Sequence, residues 1–236
     1  MKAHLALGLL AACGGGGGDT GVDAKIFLDA PPVVNQMIMI SGTASSEGAS
    51  ASAPLADVVI AFYKTGDETT PVAMATSGAD GKYAFSIPTS GHVVDGFLKA
   101  THATFVDNYI YPTAPLQADY PTADANMIAS SDFSGLGILT GQDGAKGFIA
   151  AVVLDGSMQP VAGATIASTP ASGKYAYSDS NGYPTGTMAT VADGRAFFVN
   201  VPSGTTTITA TKSGIAFKSH ALVAHPGALT TTFLAP

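Results

Sequence analysis

Pro160-Val161-Ala162-Gly163-Ala164-Thr165-Ile166, followed by Ala192-Asp193-Gly194-Arg195-Ala196-Phe197-Phe198-Val199-Asn200-Val201-Pro202, decides the fold. Phe197, Val199 and Val201 alternate with Phe198 and Asn200, the period of two expected of a strand with distinct faces. Asp193-Gly194 ahead of that run is a turn signal, because glycine reaches positive φ without the steric cost other residues meet. Pro202 ends the run, since it cannot donate to a ladder. The same blocks occur earlier in the same order: Pro54-Leu55-Ala56-Asp57-Val58-Val59-Ile60, then Ala79-Asp80-Gly81-Lys82-Tyr83-Ala84-Phe85-Ser86-Ile87-Pro88. A strand-like run precedes each pair, Met37 to Thr43 and Gly147 to Leu154. Another follows each, Gly96 to Thr101 and Thr206 to Thr211.

Further turn signals stand at Asn181-Gly182, Ser203-Gly204 and Ser213-Gly214, and no segment carries a sustained apolar period of 3.6. Two copies of a unit of about 90–100 residues match the size of an immunoglobulin-like sandwich. The expected class is therefore all-β, with two tandem immunoglobulin-like or prealbumin-like β-sandwiches at 25–118 and 142–236. A Pro-containing linker at 119–141 separates them, and Pro112, Pro115 and Pro121 make Tyr109 to Asn126 read as extended. Asp124 is a candidate cap for a brief helical turn through Met127 and Ile128. Asp80-Gly81 and Asp193-Gly194 are read as tight hairpins.

The order of strand, Pro-x-Ala-Gly-Ala-x-Ile, Asp-Gly-Lys/Arg-x-x-Phe, Val-Pro-x-Gly and Thr-Ile-Thr-Ala resembles the carboxypeptidase regulatory-like domain. The second copy carries the resemblance through Gly163, Asp193, Gly194, Pro202, Gly204 and Ala210. The first departs from it: Asp57 stands where Gly163 stands, and its glycine lies further out in Thr89-Ser90-Gly91. The resemblance implies small sandwiches of prealbumin type, repeated as modules in bacterial surface proteins. These motifs are structural and imply no chemistry.

At the other end of the chain, Lys2 precedes an apolar run from Leu5 to Leu10, and small Ala11 and Ala12 lead to Cys13. That is the order of a secretory signal, too short to span a bilayer, assigned to residues 1–12. Leu10-Ala11-Ala12-Cys13 also resembles the lipobox of bacterial lipoproteins. The resemblance implies that Cys13 becomes the acylated first residue of the mature chain, and that the membrane is a partner through those acyl chains. With Gly14 and not Asp at the next position, outer-membrane sorting is implied if the envelope is Gram-negative. Gly14 to Gly18 cannot pack, so residues 13–24 are expected to be a tether with a root-mean-square reach of roughly 20 Å.

Composition narrows the function classes. Ten Lys and Arg against seventeen Asp and Glu in 236 residues give a net charge of −7, which argues against a nucleic-acid surface. A single Cys allows no internal disulfide and no thiolate metal cage. The chain lacks Gly-x-Ser-x-Gly, His-Glu-x-x-His and Gly-x-x-x-x-Gly-Lys, so no catalytic site and no cofactor is expected. His92, His102, His220 and His225 are read as scattered surface residues.

One stretch breaks the repeat. Nineteen residues separate Ile60 from Asp80, and 26 separate Ile166 from Asp193. The extra seven fall around Tyr175, Tyr177, Asp179, Asn181 and Tyr183. Tyrosines beside Asp and Asn could stack on sugar rings, while their plainer role is to cover the edge of the sandwich. The expected function is thus a non-enzymatic envelope lipoprotein, a structural or adhesive module facing an envelope protein or glycan. A carbohydrate- or peptidoglycan-binding accessory protein using the Tyr-rich surface is the alternative.

Overall fold

The computed structural model describes residues 34–48, 52–186 and 188–236, so Cys13, the signal and the tether lie outside the described residues. The alternating runs become strands in this order: β1 (Met37–Glu47), β2 (Ala53–Pro54), β3 (Val59–Lys64), β4 (Ala73–Thr76), β5 (Lys82–Pro88), β6 (Gly96–Thr101), β7 (Asn108–Tyr111) and β8 (Ala125–Ile128). Helix α1 (Ser130–Thr140) follows. Then come β9 (Gly147–Val153), β10 (Thr165–Thr169), β11 (Lys174–Tyr177), β12 (Arg195–Val201), β13 (Gly204–Thr211), β14 (His220–Ala224) and β15 (Leu229–Leu234). The expected all-β sandwich class is what these strands form. No helix among the described residues is long and apolar enough to cross a membrane.

One eight-stranded sheet runs through both halves, in the order β11-β12-β9-β15-β7-β6-β3-β4. At its centre β15 pairs in parallel with β7 on one side and β9 on the other. Two smaller sheets cover it. In the first half β1 pairs with β5, and the far end of β1 pairs with β2 and β8. In the second half β13 lies between β10 and β14. Alternation assigns the faces. Ile60, Phe62, Leu98, Ala100 and Ile110 point one way, into a core with Ile38, Ile40 and Ile87 of the β1–β5 sheet. Tyr109, Ile149, Ala151, Val153 and Phe198 point the other way, against Ile166, Ile208 and Leu222. The small sheets therefore sit on opposite faces of one continuous sheet. Burial of each large apolar side chain in these cores contributes about 1.5–3 kcal/mol.

The repeat read from the sequence recurs as geometry. Asp57 and Gly163, matched in the two copies, both have positive φ, 60° and 78°. Asp is among the few residues that enter the left-handed region at low cost, which is why it can stand in for glycine there. The Ser77 hydroxyl donates to the Leu55 carbonyl at 2.7 Å and accepts the Val58 N–H at 3.0 Å. Thr190 does the same between Val161 at 2.6 Å and Ala164 at 2.9 Å. The N–H of β-strand residue Ala44 donates to the Gly81 carbonyl, as that of Val153 donates to Gly194, both at 2.8 Å.

Three expectations are corrected. Gly81 and Gly194 do take positive φ, but neither Asp-Gly pair closes a tight hairpin. The strand before Gly81, β4, pairs with β3, while β5 pairs with β1, and a long loop separates β11 from Gly194. Second, the expected linker 119–141 carries β8 and α1. Its acidic residues tie it to β1, with Asp119 accepting the Met39 N–H at 2.8 Å and Asp124 the Thr43 N–H at 2.9 Å. Third, Asp124 caps no helical turn, because Met127 and Ile128 belong to a strand. The helix starts later, behind Ala129, and ends at Gly141 in the left-handed conformation. Phe133 and Leu136 face inward from it, packing on the cluster of Phe148, Phe197 and Leu229, and Thr140 is buried in its last turn. With Gly135 and Gly137 inside it, α1 depends on that packing more than on propensity.

Candidate functional site

The Tyr-rich stretch is divided by its own strand. Tyr175 and Tyr177, two apart on β11, point into the second core, while Ala176 between them faces the α1 side. The Tyr177 hydroxyl accepts the Ile166 N–H at 3.1 Å, and that of Tyr175 accepts the Ser168 N–H at 3.2 Å. Those two N–H groups lie on the edge of β10 that no strand among the described residues covers, so the tyrosines satisfy an otherwise bare sheet edge. Asp179 closes the following turn. Its carboxylate accepts the Thr185 hydroxyl at 2.7 Å and the N–H groups of Asn181 and Tyr183 at 2.8 and 3.0 Å, and these bonds hold its pKa below the usual value. Asn181 is exposed, and Tyr183 is the one exposed ring of the three tyrosines. The stretch presents no continuous aromatic surface.

A different cluster gathers at the seam where the two halves meet. Tyr109 and Tyr111 point the same way from β7, and each meets a histidine from the β14 region. His225 stacks on Tyr109 with ring centroids 3.6 Å apart and planes 10° from parallel. His220 meets Tyr111 edge-on at 6.3 Å. The His225 Nε2 lies 3.8 Å from a Glu68 oxygen, and Lys99 pairs with Asp107 at 2.9 Å while sitting 5.2 Å from the Tyr109 ring centre. Glu68, Asp95, Phe97, Tyr111, His220 and Leu222 help line a groove of about 170 Å³. This cluster was not legible in the sequence, because His220 and His225 come to Tyr109 and Tyr111 across the seam, some 110 positions away along the chain.

Burial dominates the electrostatics here. It lowers the pKa of both histidines below 6.5, opposed at His220 by Asp95 and at His225 by Glu68 and Asp107, with Lys99 reinforcing it at His225. The buried Nε2 of each histidine has no hydrogen-bond partner among the described residues. No hydroxyl is therefore joined to either Nε2 in the manner of a nucleophile and its base. No three His, Cys, Asp or Glu side chains among the described residues converge to hold a metal ion.

Because the folded chain binds these protons less readily than the unfolded chain, acidification favours unfolding. The melting temperature should fall as pH drops from about 7 toward 5.5, beginning near the unperturbed histidine value of ~6.5. Thermal melts of wild type and of a His220→Phe, His225→Phe double variant check this, and the variant should show a flatter pH dependence over the same interval. An equally steep profile in both would remove the histidines as its cause.

No family model matches the chain, and no curated protein matches it. Among solved structures it is similar to the Bacillus anthracis TIE protein, with 13% identity over 84% of this chain and 34% of that one, at a TM-score of 0.29. The chain thus spans about a third of that protein's length. Shaft pilin SpaA from Lactobacillus rhamnosus GG is 12% identical over 85% of this chain and 98% of its own, with a TM-score of 0.27. GBS52, the minor pilin of Streptococcus agalactiae, is 11% identical over 84% and 94%, with a TM-score of 0.29. At these scores the likenesses carry no assignment, and the fold rests on the strand pairing described above.

Proposed function

We propose that the chain is a bacterial envelope lipoprotein, held by acyl chains on Cys13, whose paired sandwich modules serve as a non-enzymatic structural or adhesive body. The observation that carries this reading is the run Leu10-Ala11-Ala12-Cys13 directly ahead of Gly14 to Gly18, followed by an all-β body. The modules are proposed at 25–118 and 142–236, and the attachment, by the residue after Cys13, at the outer membrane if the envelope has one. The body suits contact more than chemistry. Its seam groove, at about 170 Å³, lies below the roughly 300–1,000 Å³ of small-molecule sites. A partner, whether an envelope protein or a glycan, would meet sheet edges and surfaces.

The test is attachment. Wild-type protein should fractionate with membranes, and intact-mass measurement should show acyl chains on an amino-terminal Cys13. Cys13→Ser should be found either soluble or with its first twelve residues uncleaved. Recovery of wild type with a free Cys13 thiol and unmodified mass would sink the anchor.

A further inference from the structure

The two copies differ in where the strand between their matched blocks goes. In the second half, β11 leaves β10 and adds to the outer edge of β12. In the first half the corresponding segment, β4, turns back onto β3. Gly81 matches Gly194, so Ala84 and Ser86 of β5 match Phe197 and Val199 of β12. Phe197 and Val199 are opposite Ala176 and Lys174 of β11. Among the described residues no strand pairs with that edge of β5, although β4 of the facing sheet runs close to it. The antiparallel register fixes which groups are left over. Ala44 with Gly81, and Gln36 with Thr89, mark the hydrogen-bonded pairs of β1 and β5, so the N–H and C=O of Ala84 and Ser86 point away from β1.

Three other edges of the fold are managed. Tyrosine hydroxyls cap β10, Gly186 exchanges both backbone hydrogen bonds with Tyr177 at the edge of β11, and β4 is only four residues long. In contrast, β5 has seven residues in an unbroken register, no charge from Tyr83 to Ile87, and no proline before Pro88. Lys82 and Pro88 stand at its two ends, and between them it lacks the devices that normally block edge pairing.

We propose that this edge joins two copies of the chain, β5 against β5 of the second copy, antiparallel about a two-fold axis at Phe85. In that register Ala84 of each copy opposes Ser86 of the other, and all four outward N–H groups find carbonyl acceptors. Half-buried Phe85 meets its symmetry mate, an aromatic pair across neighbouring strands of the kind that stabilises sheets. Lys82, the strand's single charge, opposes Pro88, so no like charges face one another. The backbone groups would accept any strand, and it is the Phe85 pair and the Lys82–Pro88 opposition that point to a second copy. One strand pair buries less than the roughly 1,200 Å² of standard interfaces, so the association is weak and reversible.

The test uses the full chain in detergent, by sedimentation velocity over a concentration series and by hydrogen exchange across residues 82–88. Wild type should dimerise with concentration, and the Ala84 and Ser86 amides should exchange at least about tenfold more slowly in the dimer than at dilution. Ala84→Pro, whose lost N–H points away from β1, and Ser86→Lys should each weaken association about tenfold or more. Ser86→Lys should do so with an unchanged melting temperature, which covers the case in which proline disturbs folding. Association through micelles alone would be insensitive to both substitutions. A chain that stays monomeric up to ~1 mM, or a dimer that survives Ser86→Lys, overturns the proposal.

Discussion

Gly194→Val should lower the stability of the chain by about 2–5 kcal/mol, adding left-handed strain at a β-branched residue to overpacking against fixed backbone. The residue has φ +66°, and a Cβ there would stand 2.6 Å from the Val153 carbonyl oxygen and 3.1 Å from the Pro160 ring. Neither neighbour can yield cheaply, since Val153 is held in β9 between β12 and β15. Gly81→Val should act alike, because its Cβ would meet the Ala44 carbonyl oxygen and Pro54, the matched atoms of the first copy. Gly163→Ala is the control. It also has positive φ, at +78°, but open space around it, so it should cost only the left-handed penalty of about 1–2 kcal/mol. Thermal melts of the three variants decide the matter. If Gly163→Ala proves as damaging as Gly194→Val, close approach to the neighbouring strand is not the reason for glycine at these turns.

Thr231→Pro should be at least as severe, about 3 kcal/mol or more, and its effect should reach both halves of the chain. Thr231 lies within β15, paired to Ile110 of β7 and Ala150 of β9. Leu229 donates its N–H to Asp107 ahead of β7, so the alternating pattern directs the Thr231 N–H to the same side. Proline there removes a rung in the middle of the sheet where no edge can absorb the loss. Hydrogen exchange in β3 and β13 should accelerate together, and melting should remain one transition at a lower temperature. If β3 kept its protection while β13 lost it, the halves would be folding as independent modules despite their common sheet.

Much of the fold was legible because short-range rules are decisive for it. Strand-like runs marked β1, β5, β6, β9, β12 and β13, and the paired blocks announced the repeat, while Asp57, which read as a departure from Gly163, shares its left-handed conformation in the structure. What the sequence did not disclose depends on partners far along the chain. Residues 125–128 are too short to declare themselves, and become β8 only beside Ala44 to Glu47. The inward positions of α1, Phe133, Leu136 and Thr140, include only two apolar residues, too few to announce a helix. The choice of β4 to return to β3, where β11 crosses to β12, leaves no local mark that pattern reading can detect. The candidate site divides in the same way. Tyr175 and Tyr177 stood out by composition, but whether a ring faces solvent or core is decided by strand phase. The seam histidines had no signal, since their surroundings are assembled from β3–β4, β7 and β14.

The central position of β15 has a mechanical consequence. Its neighbours β7 and β9 both run parallel to it, so a pull along its axis strains two rows of hydrogen bonds at once and in shear. A pull across the sheet would instead open a single row, bond by bond. Stretched along that axis, as a body tethered at one end and gripped at the other would be, the chain should yield abruptly at high force and not peel.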